Sequence, residues 1–181
     1  MVGPSGIPLA AAGLALAWAL AAPCAAQEIP ARGPAYLTFG AGGFNVIDPD
    51  GKTRSDLRLE YRHGEPFLWL KPWVGVEVTS DAAFWGGAGL LLDTVWRRHV
   101  VVTLSTGVGG YADGSAKDLG GSLEFRSQIE LGYRFADHSR LTAAFGHISN
   151  AGLGDHNPGG EMATLYYHFP LSRPHGDGAE G

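Results

Sequence analysis

The chain has 181 residues, of which 28 are glycine and only 17% are charged, with a formal net charge of -5. That length suits one domain, and the scarcity of charge beside abundant glycine argues against a helical bundle. The acidic balance excludes the basic footprint of a nucleic-acid-binding protein.

Residues 1–26 read as a secretory signal peptide. The stretch 7–22 is apolar and rich in alanine and leucine, and Pro23, Cys24, Ala25 and Ala26 lead to an expected cut after Ala26. The run is shorter than the roughly 20 residues a spanning helix needs. Its n-region departs from the usual pattern in having no Lys or Arg. Cys24 is the sole cysteine, so the mature chain is expected to form no disulfide. Residues 20–24 loosely resemble a lipoprotein box, but a proline directly before the cysteine is unusual there, and lipidation is the lesser alternative.

Beyond residue 34 the sequence settles into short segments of alternating polarity separated by turn residues. Eight strands are expected, over 35–46, 53–62, 67–79, 83–92, 99–111, 121–135, 140–149 and 161–169. In the second, Leu57, Leu59 and Tyr61 oppose Asp56, Arg58, Glu60 and Arg62; in the third, Val74, Val76 and Val78 oppose Gly75, Glu77 and Thr79. The sixth sets Leu123, Phe125, Ile129, Leu131, Tyr133 and Phe135 against Glu124, Arg126, Gln128, Glu130 and Arg134. Successive side chains of a strand point to opposite faces, so each strand has one greasy and one heavily charged face.

This is the signature of a transmembrane β-barrel. A soluble periplasmic sandwich with a wet outer face competes on pattern alone. The mixed-sign charges favour the barrel, because such a face packs well inside a narrow cylinder. An even strand number closes an antiparallel barrel without edges, and eight strands leave an interior filled by side chains. The expected layout is therefore a signal at 1–26, an all-β, eight-stranded antiparallel outer-membrane barrel over 27–170, and a polar tail over 171–181. With the N-terminus periplasmic, the longer Gly- and Asp-rich connections after the first, fifth and seventh strands face outward. Trp69, Trp73, Trp85, Trp96 and Tyr167 are expected in the aromatic girdles at the membrane interfaces. Phe169 is followed by Pro170 and the polar tail, a departure from barrels that end on an aromatic residue.

The chemistry gathers around the last hairpin. His147 and Ser149 share the apolar face of the seventh strand with Leu141, Ala143 and Phe145, and Glu161 begins the apolar face of the eighth. Polar groups facing hydrocarbon cost several kcal/mol unless paired, so three together there call for a reason. Residues two apart on a strand are about 6.6 Å apart, and a carboxylate on the adjoining strand can lie directly across. His147 can thus serve as base, Ser149 as nucleophile and Glu161 as the group that orients the imidazole. The connecting glycine-rich loop 151–160 offers backbone N–H groups and the Asn157 amide to a developing oxyanion. Singly, His147 reads as an interfacial polar residue and Glu161 as a solvated strand start; their shared parity and common hairpin favour catalysis. Asp155 and His156 read as part of a turn, with cation or headgroup-phosphate binding as the alternative.

The segment H-I-S-N-A-G-L-G-D-H-N-P-G-G-E resembles the active-site segment of the lipid A 3-O-deacylase (PagL-type) family, outer-membrane esterases with an eight-stranded barrel. The family motif is H-x-S-N, an asparagine eight residues beyond the serine and a glutamate twelve beyond it, and here Asn157 and Glu161 stand at those positions. The specific match covers 145–169. It implies His147 as base, Ser149 as nucleophile, Glu161 as orienting acid, an oxyanion hole from the Asn157 side chain and the Gly152 backbone, and Asn150 as a site-shaping residue. It implies lipid A (lipopolysaccharide) as substrate, among outer-membrane lipids, with release of the 3-O-linked 3-hydroxy fatty acid. No metal or other cofactor is required, no nucleic acid is expected, and a homodimer is one candidate assembly. The alternative from another class is a non-catalytic eight-stranded outer-membrane barrel serving adhesion or envelope integrity.

Overall fold

All eight expected strands form in the computed structural model, which describes residues 33–47 and 52–171. They are β1 (Tyr36–Phe44), β2 (Arg54–Arg62), β3 (Lys71–Thr79), β4 (Phe84–Trp96), β5 (Val100–Ala112), β6 (Leu123–Arg134), β7 (Arg140–Ser149) and β8 (Gly160–Pro170). Each pairs antiparallel with the next, and β1 pairs with β8, so the sheet closes into a barrel with no free edge. The expected signal and Cys24, and the tail beyond Leu171, lie outside the described residues.

The alternation sets the faces. Leu57, Leu59, Val74, Val76, Val78, Ile129, Leu131, Phe145 and Leu165 are exposed on the outside, while Asp56, Arg58, Glu60, Arg62, Glu77, Glu124, Arg126 and Glu130 are buried within. This inverts a soluble protein and overturns the wet-faced sandwich, because the exposed surface is the apolar one.

Inside, most of the buried charge is paired; among the described residues Glu124 is the exception, with neither carboxylate oxygen hydrogen-bonded. Arg62 donates to Glu60 at 2.8 Å and to Glu130 at 2.8 Å. Arg58 bonds Asp56 at 2.6 Å, and Asp93 takes Arg140 at 2.7 Å and Lys71 at 3.2 Å. Arg126 bonds Glu60 and Glu77. A buried charge stripped of its partner is worth several kcal/mol of instability, so these contacts fix which face turns inward.

Three features differ from the sequence expectation. The third strand begins at Lys71 rather than residue 67, because Leu68 takes a left-handed conformation (φ 60°) and Phe67 bridges back to Leu70 in a tight turn. The fourth runs on to Trp96, as Asp93 continues the alternation inward onto Lys71 and Arg140. Trp73 and Trp85 do not join an interface girdle. They are 2% and 1% exposed, inside the barrel, with the Arg126 guanidinium 4.5 Å and 4.6 Å from their ring centroids. Strand parity places them there, Trp73 with Glu77 and Trp85 with Asp93, and cation–π attraction to the desolvated guanidinium stabilises both indoles inside.

One end of the barrel carries residues 45–47 and 52–53 and the connections 80–83, 113–122 and 150–159. The other carries the outer ends of β1 and β8 together with 63–70, 97–99 and 135–139. Beneath the first set, Phe44, Ala83, Tyr111, Leu119, Ile148 and Met162 form an apolar cap over the charged interior.

Candidate active site

β7 and β8 deliver the site. His147 is the direct cross-strand partner of Glu161, and its Nδ1 lies 3.4 Å from Glu161 Oε1. Both side chains face outward, with 51% and 34% of their surface accessible. The register forces this: Ile148 and Met162, the neighbours of opposite parity, are buried inside. A one-residue slip would bury the pair and expose the charge network.

Ser149 ends β7 on the same face as His147, half-buried and paired with Phe125 of β6. The chain turns at once beyond it. Ala151 and Gly152 are both left-handed (φ 55° and 80°), and Asn150 Oδ1 accepts the Gly152 N–H at 2.8 Å in an Asx turn.

The imidazole is aimed from the other side by Gly159. That residue is buried and left-handed (φ 57°), and a Cβ placed there would stand 2.6 Å from His147 Cε1 and 3.0 Å from Nε2. Ile148 pairs with Gly160, so Gly159 lies one step further, at the level of Ser149. Nδ1 faces Glu161, and the Cε1–Nε2 edge of the ring lies on the Gly159 side.

Asn150 is buried and holds the loops together. Its Nδ2 donates to Leu119 O at 2.9 Å and to His156 O at 2.7 Å, tying 113–122 to 150–159. Asn157 is exposed, and its Oδ1 accepts the Asn150 N–H at 3.2 Å. That bond engages Oδ1 and leaves the Nδ2 of the same amide outside it. The Gly152 N–H is directed at Asn150 in this arrangement. Asp155 is exposed, and His156 stands 3.8 Å from Asp118 on the neighbouring loop.

The structure thus brings His147 and Glu161 together, places Ser149 two residues on along the same strand face, and uses Asn150 as a clasp. Sequence reasoning missed the role of Gly159, which it counted only among the loop glycines with backbone N–H groups to offer. It also missed Ser127 of β6, the cross-strand neighbour of His147 on the side away from Glu161. The signal for Ser127 was present, since it is the one polar residue of the Leu123-to-Tyr133 apolar parity apart from tyrosine.

A cavity of about 470 Å³ opens at the same end, lined by Phe44, Asn45, Lys52, Arg54, Ser115, Ala116 and Lys117. It does not include the outward-facing His147–Glu161 pair. No group of three or more His, Cys, Asp or Glu among the described residues could hold a metal ion.

An inverted, closed eight-stranded barrel with an apolar outer wall defines a membrane-embedded barrel, here with a histidine–carboxylate pair on that wall. The family model described as lipid A 3-O-deacylase (PagL) matches residues 55–170. The chain belongs to that family.

It is 26% identical over 172 residues to the lipid A deacylase PagL of Bordetella bronchiseptica, covering 83% of this chain and 90% of the relative. It is 38% identical over 55 residues to the lipid A deacylase PagL of Pseudomonas aeruginosa, 30% of this chain and 32% of that one. Among solved structures, the outer membrane enzyme PagL superposes with a TM-score of 0.55 at 18% identity, covering 75% of this chain and 99% of that one. A de novo designed transmembrane β-barrel gives 0.54 at 13%, covering 77% and 98%. At those identities the two structures share the fold alone.

Proposed function

We infer that the chain hydrolyses the ester at position 3 of lipid A through Ser149, His147 and Glu161. The family and the barrel carry the coarser statement: this is an ester-hydrolysing lipid A deacylase of the bacterial outer membrane. The observation behind the mechanism is the His147–Glu161 contact of 3.4 Å on the outward wall. Unless it works there, a polar pair facing hydrocarbon has no reason to persist.

Glu161 accepts from the Nδ1–H of His147, which fixes the tautomer and leaves Nε2 as the base. Nε2 takes the proton of the Ser149 hydroxyl as its oxygen attacks the ester carbonyl. The tetrahedral oxyanion is met by the Asn157 Nδ2 donor, freed for this by the bond from the Asn150 N–H to Oδ1. A contribution from the Gly152 N–H requires it to turn from Asn150 Oδ1. Collapse breaks the bond to the sugar oxygen, which leaves with the proton from His147. Water, activated by the same imidazole, then hydrolyses the acyl-serine and releases the fatty acid. With the N-terminus in the periplasm, the end bearing 150–159 faces outward, so the site lies at the headgroup boundary of the outer leaflet. All the groups come from one chain, so the mechanism needs no dimer.

Mass spectrometry of lipid A from cells expressing the wild type or Ser149→Ala tests the reading. The wild type should remove one 3-hydroxyacyl chain and the variant none. An intact acylation pattern with the wild type, or equal loss with the variant, refutes the mechanism; the former favours a non-catalytic barrel.

A further inference from the structure

On the outward wall of β5 to β8 only five side chains other than tyrosine are polar. Three are His147, Ser149 and Glu161; the other two are Thr106 and Ser127, both exposed. Four of the five lie in a single cross-strand row. Thr106 pairs with Ser127, Ser127 with His147, and His147 with Glu161. The two hydroxyls bond each other at 3.3 Å, and the imidazole leans the other way, toward Glu161 and Gly159.

A hydroxyl facing hydrocarbon is costly unless partnered. Each hydroxyl has one donor and two acceptor positions, so the mutual bond leaves one O–H and several lone pairs unspent. Apolar side chains surround the pair: Val108 and Phe125 on one side along the strands, Leu104 and Ile129 on the other. Unused hydrogen-bonding capacity in a greasy wall, in register with a base, suits a polar group carried on an otherwise apolar ligand.

We propose that Ser127 and Thr106 form a subsite for the hydroxyl on C3 of the acyl chain being removed, and so select hydroxylated over plain acyl esters. This rests on the deacylase reading above. Ser149 pairs with Phe125, which makes Ser127 its diagonal neighbour, about 7–8 Å away between Cα atoms and closer between side chains. The C3 hydroxyl is three bonds from the carbonyl carbon. A chain whose carbonyl sits at Ser149 and which runs down the wall toward Ile129 therefore carries that hydroxyl past Ser127. The residues are specificity-determining and move no proton in the reaction.

The test is a competition in detergent micelles between two synthetic diacyl glucosamine phosphates that differ only in the C3 hydroxyl of the 3-O-linked chain. The wild type should prefer the hydroxylated ester about tenfold in kcat/KM, the worth of one hydrogen bond. Ser127→Ala combined with Thr106→Val should bring the ratio near one, while Ser127→Thr, which keeps a hydroxyl, should retain it. Because the readout is a ratio within one preparation, a general loss of folded enzyme does not imitate the effect. A wild type without preference, or a double variant that keeps it, overturns the subsite and leaves the deacylase standing. Hydrolysis of neither ester by the wild type overturns both.

Discussion

Gly159→Ala is the most direct probe of how the site is aimed. The new methyl group would stand 2.6 Å from His147 Cε1 and 3.0 Å from Nε2, whereas carbon atoms settle at about 3.5–4.0 Å. The backbone cannot retreat, because Ile148 O lies 3.1 Å from the same position. The imidazole must therefore yield by about 1 Å, which lengthens its 3.4 Å contact with Glu161 and swings Nε2 away from Ser149. A misplacement of that size costs about 100-fold in rate. Holding alanine at φ 57° adds only about 1–2 kcal/mol of instability. Steady-state hydrolysis of lipid A by refolded enzyme should show kcat down about 100-fold with KM little changed, alongside a modest drop in the urea midpoint. Gly160→Ala is the neighbouring control, since its Cβ would meet nothing nearer than Phe44 at 3.4 Å. A Gly159→Ala enzyme within about threefold of the wild-type rate, well short of that penalty, would refute the claim that this glycine aims the base.

The barrel was legible because alternation is a two-state signal. On β2 and β6 every charged residue falls on one parity, and burial of that parity follows from register alone. Local conformation was less legible. Leu68 adopts a left-handed turn at a residue type that does not advertise one, so the start of β3 was placed too early. Residue type points Trp73 and Trp85 to the membrane interface, but parity with Glu77 and Asp93 points them inside, where Arg126 meets both rings across three strands. At the site, parity grouped His147, Ser149 and Glu161, and the pairing of His147 with Glu161 follows from the hairpin. The role of Gly159 depends on a side chain twelve residues earlier, and that of Asn150 on the carbonyl of Leu119 in another loop. Neither contact has a local sequence signature.

Substitutions at two further residues separate aim from scaffold. Glu161→Gln keeps an acceptor for the Nδ1–H but removes the charge that stabilises the imidazolium. Its kcat should fall on the order of 10⁴-fold with the fold intact, and an unchanged rate would exclude Glu161 from the mechanism. Asn150 answers a structural question. Its amide donates to two carbonyls, Leu119 O and His156 O, while its oxygen accepts from Gly152 N. Asn150→Ala leaves these groups without their partners in a buried position, a loss of about 2–4 kcal/mol that should appear as a lower unfolding midpoint and a weaker kcat. Asn150→Asp is the sharper version, because it still serves Gly152 but sets an acceptor against two carbonyl oxygens. If the side chain acts as the clasp between loops 113–122 and 150–159, the aspartate should destabilise at least as much as alanine despite its matching shape. An aspartate variant that unfolds at the wild-type midpoint would show that the loops are held by other contacts.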